Sequence, residues 1–197
     1  MRVIAGSARS LKLVTPDGMD TRPTTDRIKE TLFNMLQMSV PGSNFLDLFS
    51  GSGGIGIEAL SRGARQAVFV ENGKHAIQCI EDNLSHTKMT DKAKVLKQDA
   101  FVSLQSLEYK EKFDIIFMDP PYDHELERRV LEYLTMSSIL DEETLIIFEV
   151  KIDTDIDYLD QLGYDLIKEK TYKSNKHVFV KRRMKWKKLF TQEALIQ

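Results

Sequence analysis

Four consecutive residues, Asp119-Pro120-Pro121-Tyr122, bring together an acceptor carboxylate, a stiff backbone and an aromatic ring. They follow the apolar run Phe113 to Met118 and end it abruptly. Two prolines in succession donate no ladder hydrogen bonds and have fixed φ angles, so a strand stops here and a pre-shaped loop begins. In open α/β sheets, ligands bind at that carboxyl end. The set suits a flat, amine-bearing ring such as a nucleobase. An exocyclic amine is a poor nucleophile because its lone pair is delocalised into the ring. Asp119 and the carbonyl of Pro120 can accept its two N–H hydrogens, drawing the nitrogen toward tetrahedral geometry and aiming its lone pair. Tyr122 can stack on the base face, worth roughly 1–3 kcal/mol. The base must leave its own stack to reach such a pocket. Taken alone, the four residues are equally a proline-rich turn capping a strand.

A second constellation lies upstream. Gly51-Ser52-Gly53-Gly54-Ile55-Gly56 follows the strand Phe45 to Phe49 and opens a helix through Glu58, Ala59 and Leu60, and Glu71 lies twenty residues beyond Gly51. This spacing fits a dinucleotide, with the acid on a ribose hydroxyl. It fits S-adenosylmethionine equally, which needs the same ribose acid but carries a sulfonium and an amino-acid group in place of a pyrophosphate. Asp47, just before the loop, favours the second ligand because it offers negative charge to an ammonium. The acids run in order along the strand ends: Asp47 in the first, Glu71 ending the second, Asp99 after the third and Asp119 ending the fourth. Asp47 is expected near the amino-acid part, Glu71 on the ribose and Asp99 near the adenine amine. Gly51, Gly53 and Ala100 complete the expected cofactor-binding set.

The elements that must position these residues follow from periodicity. Residues 2–14 read as a short hairpin, Val3-Ile4-Ala5 and Leu11 to Val14 flanking the turn at Gly6-Ser7. Thr24, Thr25 or Asp26 can cap a helix with Ile28, Leu32, Met35 and Leu36 on its apolar face, and Pro41-Gly42 ends it. From Phe45 onward, continuous apolar strands alternate with helices. The further strands are Ala67 to Glu71, Ala93 to Gln98, Phe113 to Met118 and Thr144 to Glu149. Helices are expected near 74–85, 125–136 and 155–162. Tyr164 to Tyr172 and His177 to Lys181 close the chain as an antiparallel hairpin. The expected fold is α/β: a Rossmann-like, seven-stranded, mostly parallel sheet with that hairpin at one edge and a small N-terminal hairpin-and-helix appendage. Three units are expected: residues 1–42, a main domain 43–182 and a basic tail 183–197.

Composition bounds the function. The 197 residues suit one domain of an ordinary soluble protein. No apolar run approaches the ~20 residues of a membrane span. The N-terminus lacks a signal-peptide layout, and cytoplasmic residence is the default. The single Cys79 excludes an internal disulfide framework and a cysteine-cage metal site, and no metal is expected. His75, His86, His124 and His177 have no ligand spacing; only His124, close after Tyr122, is placed to touch substrate. The net charge of −2 divides unevenly: residues 1–30 carry +2, 31–167 carry −12 and 168–188 carry +9. Basic ends on an acidic body suit a polyanionic partner such as nucleic acid, and equally a solvated lysine-rich surface.

The motifs together resemble a known family. Arg2-Val3-Ile4-Ala5-Gly6, the run Thr21-Arg22-Pro23-Thr24-Thr25-Asp26-Arg27 through Asn34, Asp47-Leu48-Phe49-Ser50-Gly51-Ser52-Gly53, Glu58 to Ala64 and the Asp119–Tyr122 loop resemble the bacterial 16S rRNA guanine-N2 methyltransferases. The Thr21–Thr24 segment is the most specific piece, and the resemblance covers residues 2 to about 181. Two features depart from the family: Lys173 follows Tyr172 where a glycine is usual, and residues 182–197 run past its usual last strand. The resemblance implies methyl transfer from S-adenosylmethionine to one guanine amine, by convention guanine 966, of 16S rRNA in the small subunit or its assembly intermediate. Asp119, Pro120 and Tyr122 would be catalytic, and Arg9, Arg22 and Arg27 would hold RNA phosphates. A monomer or weak dimer is expected. Three other classes remain open at this point: a DNA adenine-N6 methyltransferase, disfavoured by the lack of a long target-recognition insertion; an NAD-dependent oxidoreductase; and a non-catalytic rRNA-binding factor.

Overall fold

The computed structural model describes residues 1–16, 25–122 and 124–183. Its centre is a seven-stranded sheet. The elements are α1 (Asp26–Met35), β1 (Asn44–Leu48), α2 (Gly54–Ser61), β2 (Gln66–Val70), α3 (Lys74–Thr87), β3 (Ala93–Leu96), α4 (Ala100–Leu107), β4 (Ile115–Met118), α5 (Leu126–Leu134), β5 (Leu145–Lys151), α6 (Tyr158–Gln161), β6 (Tyr164–Thr171) and β7 (Asn175–Arg182). The strand order is β3-β2-β1-β4-β5-β7-β6. The first five strands pair in parallel, and β7 is antiparallel to both β5 and β6. The parallel sheet and the closing hairpin are as the sequence predicts. Because β1 pairs with both β2 and β4, the connections leave in opposite directions from β1 and β4. A crevice opens between their carboxyl ends, the usual ligand position in such sheets.

Alternation along the strands builds two cores. On one face, Phe45, Phe69, Ile115, Phe117, Ile147 and Phe179 pack with Leu32 and Phe33 of α1, Ile57 of α2 and Ile80 and Leu84 of α3. On the other, Leu46, Val68, Ile116, Met118, Phe148 and Val178 pack with Leu104 of α4, Val130, Leu131 and Leu134 of α5 and Leu159 of α6. The helix α4 has no counterpart in the sequence-based expectation, which passes from the third strand directly to the fourth. Asp99 starts it: its side chain accepts from the N–H groups of Phe101 and Val102, satisfying two orphan donors. Among the candidate caps of α1, Thr25 is the one used, accepting from Ile28 N at 3.3 Å.

The N-terminal segment packs into the first core through Val3, Ala8 and Leu13. Its expected hairpin is reduced to a single antiparallel bridge between Arg2 and Lys12. The segment is pinned to α2 by the fully buried Glu58, which accepts from the N–H groups of Ile4 at 2.7 Å and Ala5 at 3.1 Å. Lys29, equally buried, donates to the Arg2 carbonyl at 2.6 Å and lies 3.7 Å from Glu58. Burial lowers the Lys29 pKa, and Glu58 opposes the shift.

Gly56 shows how tightly α2 sits on the sheet. A Cβ placed there would meet Cε1 of the fully buried Phe69 at 2.3 Å. Helix propensity alone would favour alanine over glycine by about 1 kcal/mol. The collision outweighs it, at about 1–3 kcal/mol for overpacking a core. Gly56→Ala is therefore expected to lower the thermal midpoint; an unchanged or raised midpoint would show that Phe69 moves aside freely.

Candidate active site

Strand register sets the row of groups along the crevice. Leu48 pairs with Val70 and with Met118, and Met118 pairs with Phe148. Phe49, Glu71, Asp119 and Glu149 therefore stand one step beyond, level with each other across four adjacent strands. Asp47 lies below the row, on the same sheet face as Phe45.

The glycine loop is built from its neighbours. Gly51 and Gly53 both adopt left-handed φ angles, 54° and 79°. Gly53 is also the N-cap of α2, so the chain turns sharply from strand to helix there. Glu71 clamps the turn: one carboxylate oxygen accepts from Gly51 N at 2.8 Å, and the other accepts from Asn72 N at 2.9 Å and Gly73 N at 2.8 Å. Asn83 of α3 ties the loop to the N-terminal segment. Its amide donates to the carbonyls of Ser52 at 3.0 Å and Val14 at 2.9 Å, and its oxygen accepts from Val14 N at 2.8 Å.

Asp47 is almost fully buried, and its carboxylate accepts from Gly56 N at 2.8 Å. Burial pushes its pKa up to about 7; the Gly56 hydrogen bond opposes this and the charge of Glu71 adds to it. Among the described residues no lysine or arginine forms an ion pair with it. A buried carboxylate without a counter-charge, facing a helix N-terminus and a glycine loop, fits a ligand that brings its own cation. Glu71 stays partly exposed at the adjacent strand end, within reach of a ribose. Asp99 is exposed and caps α4 through one oxygen, and Ala100 is buried as the first residue of that helix. These groups suit an adenosyl ligand with an ammonium at one end. A pyrophosphate would add charge of the same sign as Asp47.

The loop after β4 completes the crevice. Pro120 is buried and Asp119 half-buried. Burial first, then the charges of Glu149 and Asp47, raise the Asp119 pKa well above the usual carboxylate range. Tyr122 is partly exposed, and its hydroxyl donates to Glu149 Oε1 at 2.7 Å. Glu149 is buried on β5 and also accepts from Asn175 Nδ2 at 2.5 Å and contacts His177 Nε2 at 2.9 Å. Burial alone would raise its pKa; the bonds from His177, Tyr122 and Asn175 hold it below the ordinary value. His177, fully buried, directs its other ring nitrogen to the Tyr172 hydroxyl at 3.2 Å and packs edge-on against Phe117.

The fold thus brings Asp47, Gly51, Gly53, Glu71, Asp119, Pro120 and Tyr122 to one crevice, with Asp99 and Ala100 at its β3 side. Arg9 and Arg27 are exposed on the N-terminal unit; Arg22, with the whole Thr21–Thr24 segment, lies outside the described residues, as do residues 184–197. His124 is exposed, whereas His177, to which spacing assigns no role, is buried behind the loop that follows β4. Glu149 carried a sequence signal, because the predicted fifth strand ends on it as the predicted second ends on Glu71; in the structure β5 runs two residues further, to Lys151. Asn175 and His177 carried none, since only the antiparallel register of β5 and β7 brings them to it.

Comparison with known proteins decides the kinship. The family described as conserved hypothetical protein 95 matches residues 1–181. Ribosomal RNA small subunit methyltransferase D of Haemophilus influenzae is 36% identical over 172 residues, 87% of this chain and 88% of that protein. The chain belongs to this methyltransferase family. The Escherichia coli K12 member of the same name is 36% identical over 153 residues, 78% of this chain and 76% of its own length. The fold is shared as well: the solved structure of a hypothetical protein of Thermus thermophilus superposes with a TM-score of 0.79 at 27% identity, covering 93% of this chain and 99% of that one. Family membership agrees with the resemblance carried by the Asp47–Gly53 and Asp119–Tyr122 motifs.

Proposed function

We propose that the protein transfers a methyl group from S-adenosylmethionine to the exocyclic N2 amine of a guanine in 16S rRNA, by family convention guanine 966. The observation that carries this reading is the placement of Asp119 and Pro120 beside the glycine loop and Asp47, at the point where the sheet reverses its order. The names of the relatives, small-subunit rRNA methyltransferases, support the RNA and the subunit.

When bound, S-adenosylmethionine supplies an electrophilic methyl group. Asp47 would hold its ammonium, the backbone from Gly51 to Gly53 would lie against it, Glu71 would accept from the ribose hydroxyls, and Asp99 and Ala100 would border the adenine. Tyr122 stacks on the extruded guanine and fixes its plane. The Asp119 carboxylate and the Pro120 carbonyl accept the two amine hydrogens, so the nitrogen lone pair faces the cofactor site. As the N–C bond forms the amine must shed one proton, and Asp119 is placed to take it; its raised pKa suits that role. Arg9, Arg22 and Arg27 hold phosphates. In this reading residues 1–42 contact RNA, 43–182 carry out transfer and 183–197 form a basic tail, in a cytoplasmic monomer or weak dimer.

Methylation assays with naked duplex DNA, naked 16S rRNA and small subunits test the substrate. Label is expected in rRNA, free or in the subunit, and none in DNA. Label in DNA adenine would favour the competing adenine-N6 reading. Binding of rRNA without label would favour a non-catalytic factor.

A further inference from the structure

Glu149 is a buried carboxylate that the transfer chemistry does not use directly, yet three donors converge on it. Two of them, Asn175 and His177, stand on β7, where Glu149 pairs directly with His177 and Lys151 with Asn175. Those two are held by the sheet. The third, the Tyr122 hydroxyl, belongs to the catalytic loop. Loop and sheet differ in how firmly they are held. Pro120 and Pro121 have no N–H to donate, so the loop gives up two backbone anchors just before the tyrosine. Tyr122 itself is 39% exposed, and Lys151 Nζ, 5.9 Å from its ring centroid, belongs to a long flexible side chain that holds the ring only loosely. The bond to Glu149 is then a principal tether for the ring plane. The carboxylate accepting it is in turn oriented from behind by Asn175 at 2.5 Å and His177 at 2.9 Å, and His177 is braced by Tyr172 and Phe117.

A stacking platform works only if its plane is set before the base arrives; otherwise ordering it costs affinity in the transition state. We propose that Glu149, held by Asn175 and His177, is a positioning residue that fixes the Tyr122 ring through its hydroxyl, so that a stacked base presents its amine to Asp119. This rests on the reading of Tyr122 as the platform for an extruded base. The arrangement also explains why a buried acid is kept beside Asp119 despite the repulsion between the two charges: its negative charge is spread over three hydrogen bonds.

The test is a double-mutant cycle on the full-length protein, with 16S rRNA or small subunits as substrate. Tyr122→Phe removes only the hydroxyl; Glu149→Gln removes the charged acceptor. Each is expected to lower kcat by about tenfold or more, with the affinity for S-adenosylhomocysteine, measured by calorimetry, within about twofold of wild type. The double variant is expected to be no slower than the slower single one, because both changes cut the same link. Multiplicative losses in the double variant would overturn the proposal, as would a wild-type kcat for Tyr122→Phe. If Glu149→Gln fails to fold, Tyr122→Phe alone decides, since its hydroxyl lies at the exposed side of the cluster. Failure of the underlying function is distinguishable: the wild-type protein would then not methylate rRNA at all.

Discussion

Asp119→Ala is expected to lower kcat for methyl transfer by about 10²-fold or more, the usual cost of losing one preorganised hydrogen-bonding group at the reacting centre. The side chain is half-buried between Tyr122 and the row of strand-end acids, and no other described carboxylate ends β4. Cofactor affinity is expected to survive or rise slightly, because removing Asp119 also removes a negative charge that acts on Asp47 and Glu149. The wild-type pH profile carries a second signature. In the proposed reaction the ionised carboxylate is the acceptor. Its pKa is raised by burial, Glu149 and Asp47, so the rate is expected to fall on acidification well above the ordinary carboxylate range. An active Asp119→Ala enzyme would remove the residue from the mechanism. A flat rate down to the usual aspartate pKa would show that the site is wetter than its burial implies.

Asp47→Asn is expected to stabilise the protein at pH 8 while weakening cofactor binding. Asparagine can still accept from Gly56 N but carries no charge into the buried site. The sign follows from proton linkage. The folded-state pKa of Asp47 lies above the unfolded one, so the folded chain binds the proton more tightly. Its contribution to stability therefore falls as pH rises from about 4 to about 7 and stays level above that. The shift from 3.8 to about 7 corresponds to roughly 4 kcal/mol at most. Denaturant unfolding at pH 5 and pH 8 measures it. The variant is expected to gain about two to three times more over wild type at pH 8 than at pH 5. The opposite order would mean that the carboxylate has a cationic partner in the free protein. Calorimetry with S-adenosylhomocysteine should show affinity reduced by about thirtyfold or more, the loss typical of breaking a buried charge pair. Greater stability with poorer binding is the expected pattern where a fold keeps an unfavourable group for its ligand.

The architecture was legible because its signals are local. Apolar strands of four to six residues, each ended by an acid, a glycine or a proline, announce a parallel sheet with a working carboxyl edge. The same locality hides a structural duty at Asp99. Besides its expected place at the ligand, it spends one oxygen capping α4, a helix whose eight residues carry apolar side chains on most sides and so show little periodicity. Glu71 likewise has a structural duty, clamping Gly51, that its spacing does not reveal. The group behind Tyr122 lay furthest from view. Glu149 and His177 are 28 residues apart in the chain and meet only because β7 runs antiparallel to β5. A lone histidine with no spacing partner carries no signal until the register is known.

The central claim is tested most directly in cells. The modified nucleotides of 16S rRNA are mapped in a strain lacking the protein, complemented with either the wild-type chain or Asp119→Ala. One guanine is expected to lose its N2 methyl group in the deletion strain, to regain it with the wild-type chain and to stay unmethylated with the variant. An unchanged 16S modification pattern across all three strains, or a methyl group lost from DNA instead, would contradict the account.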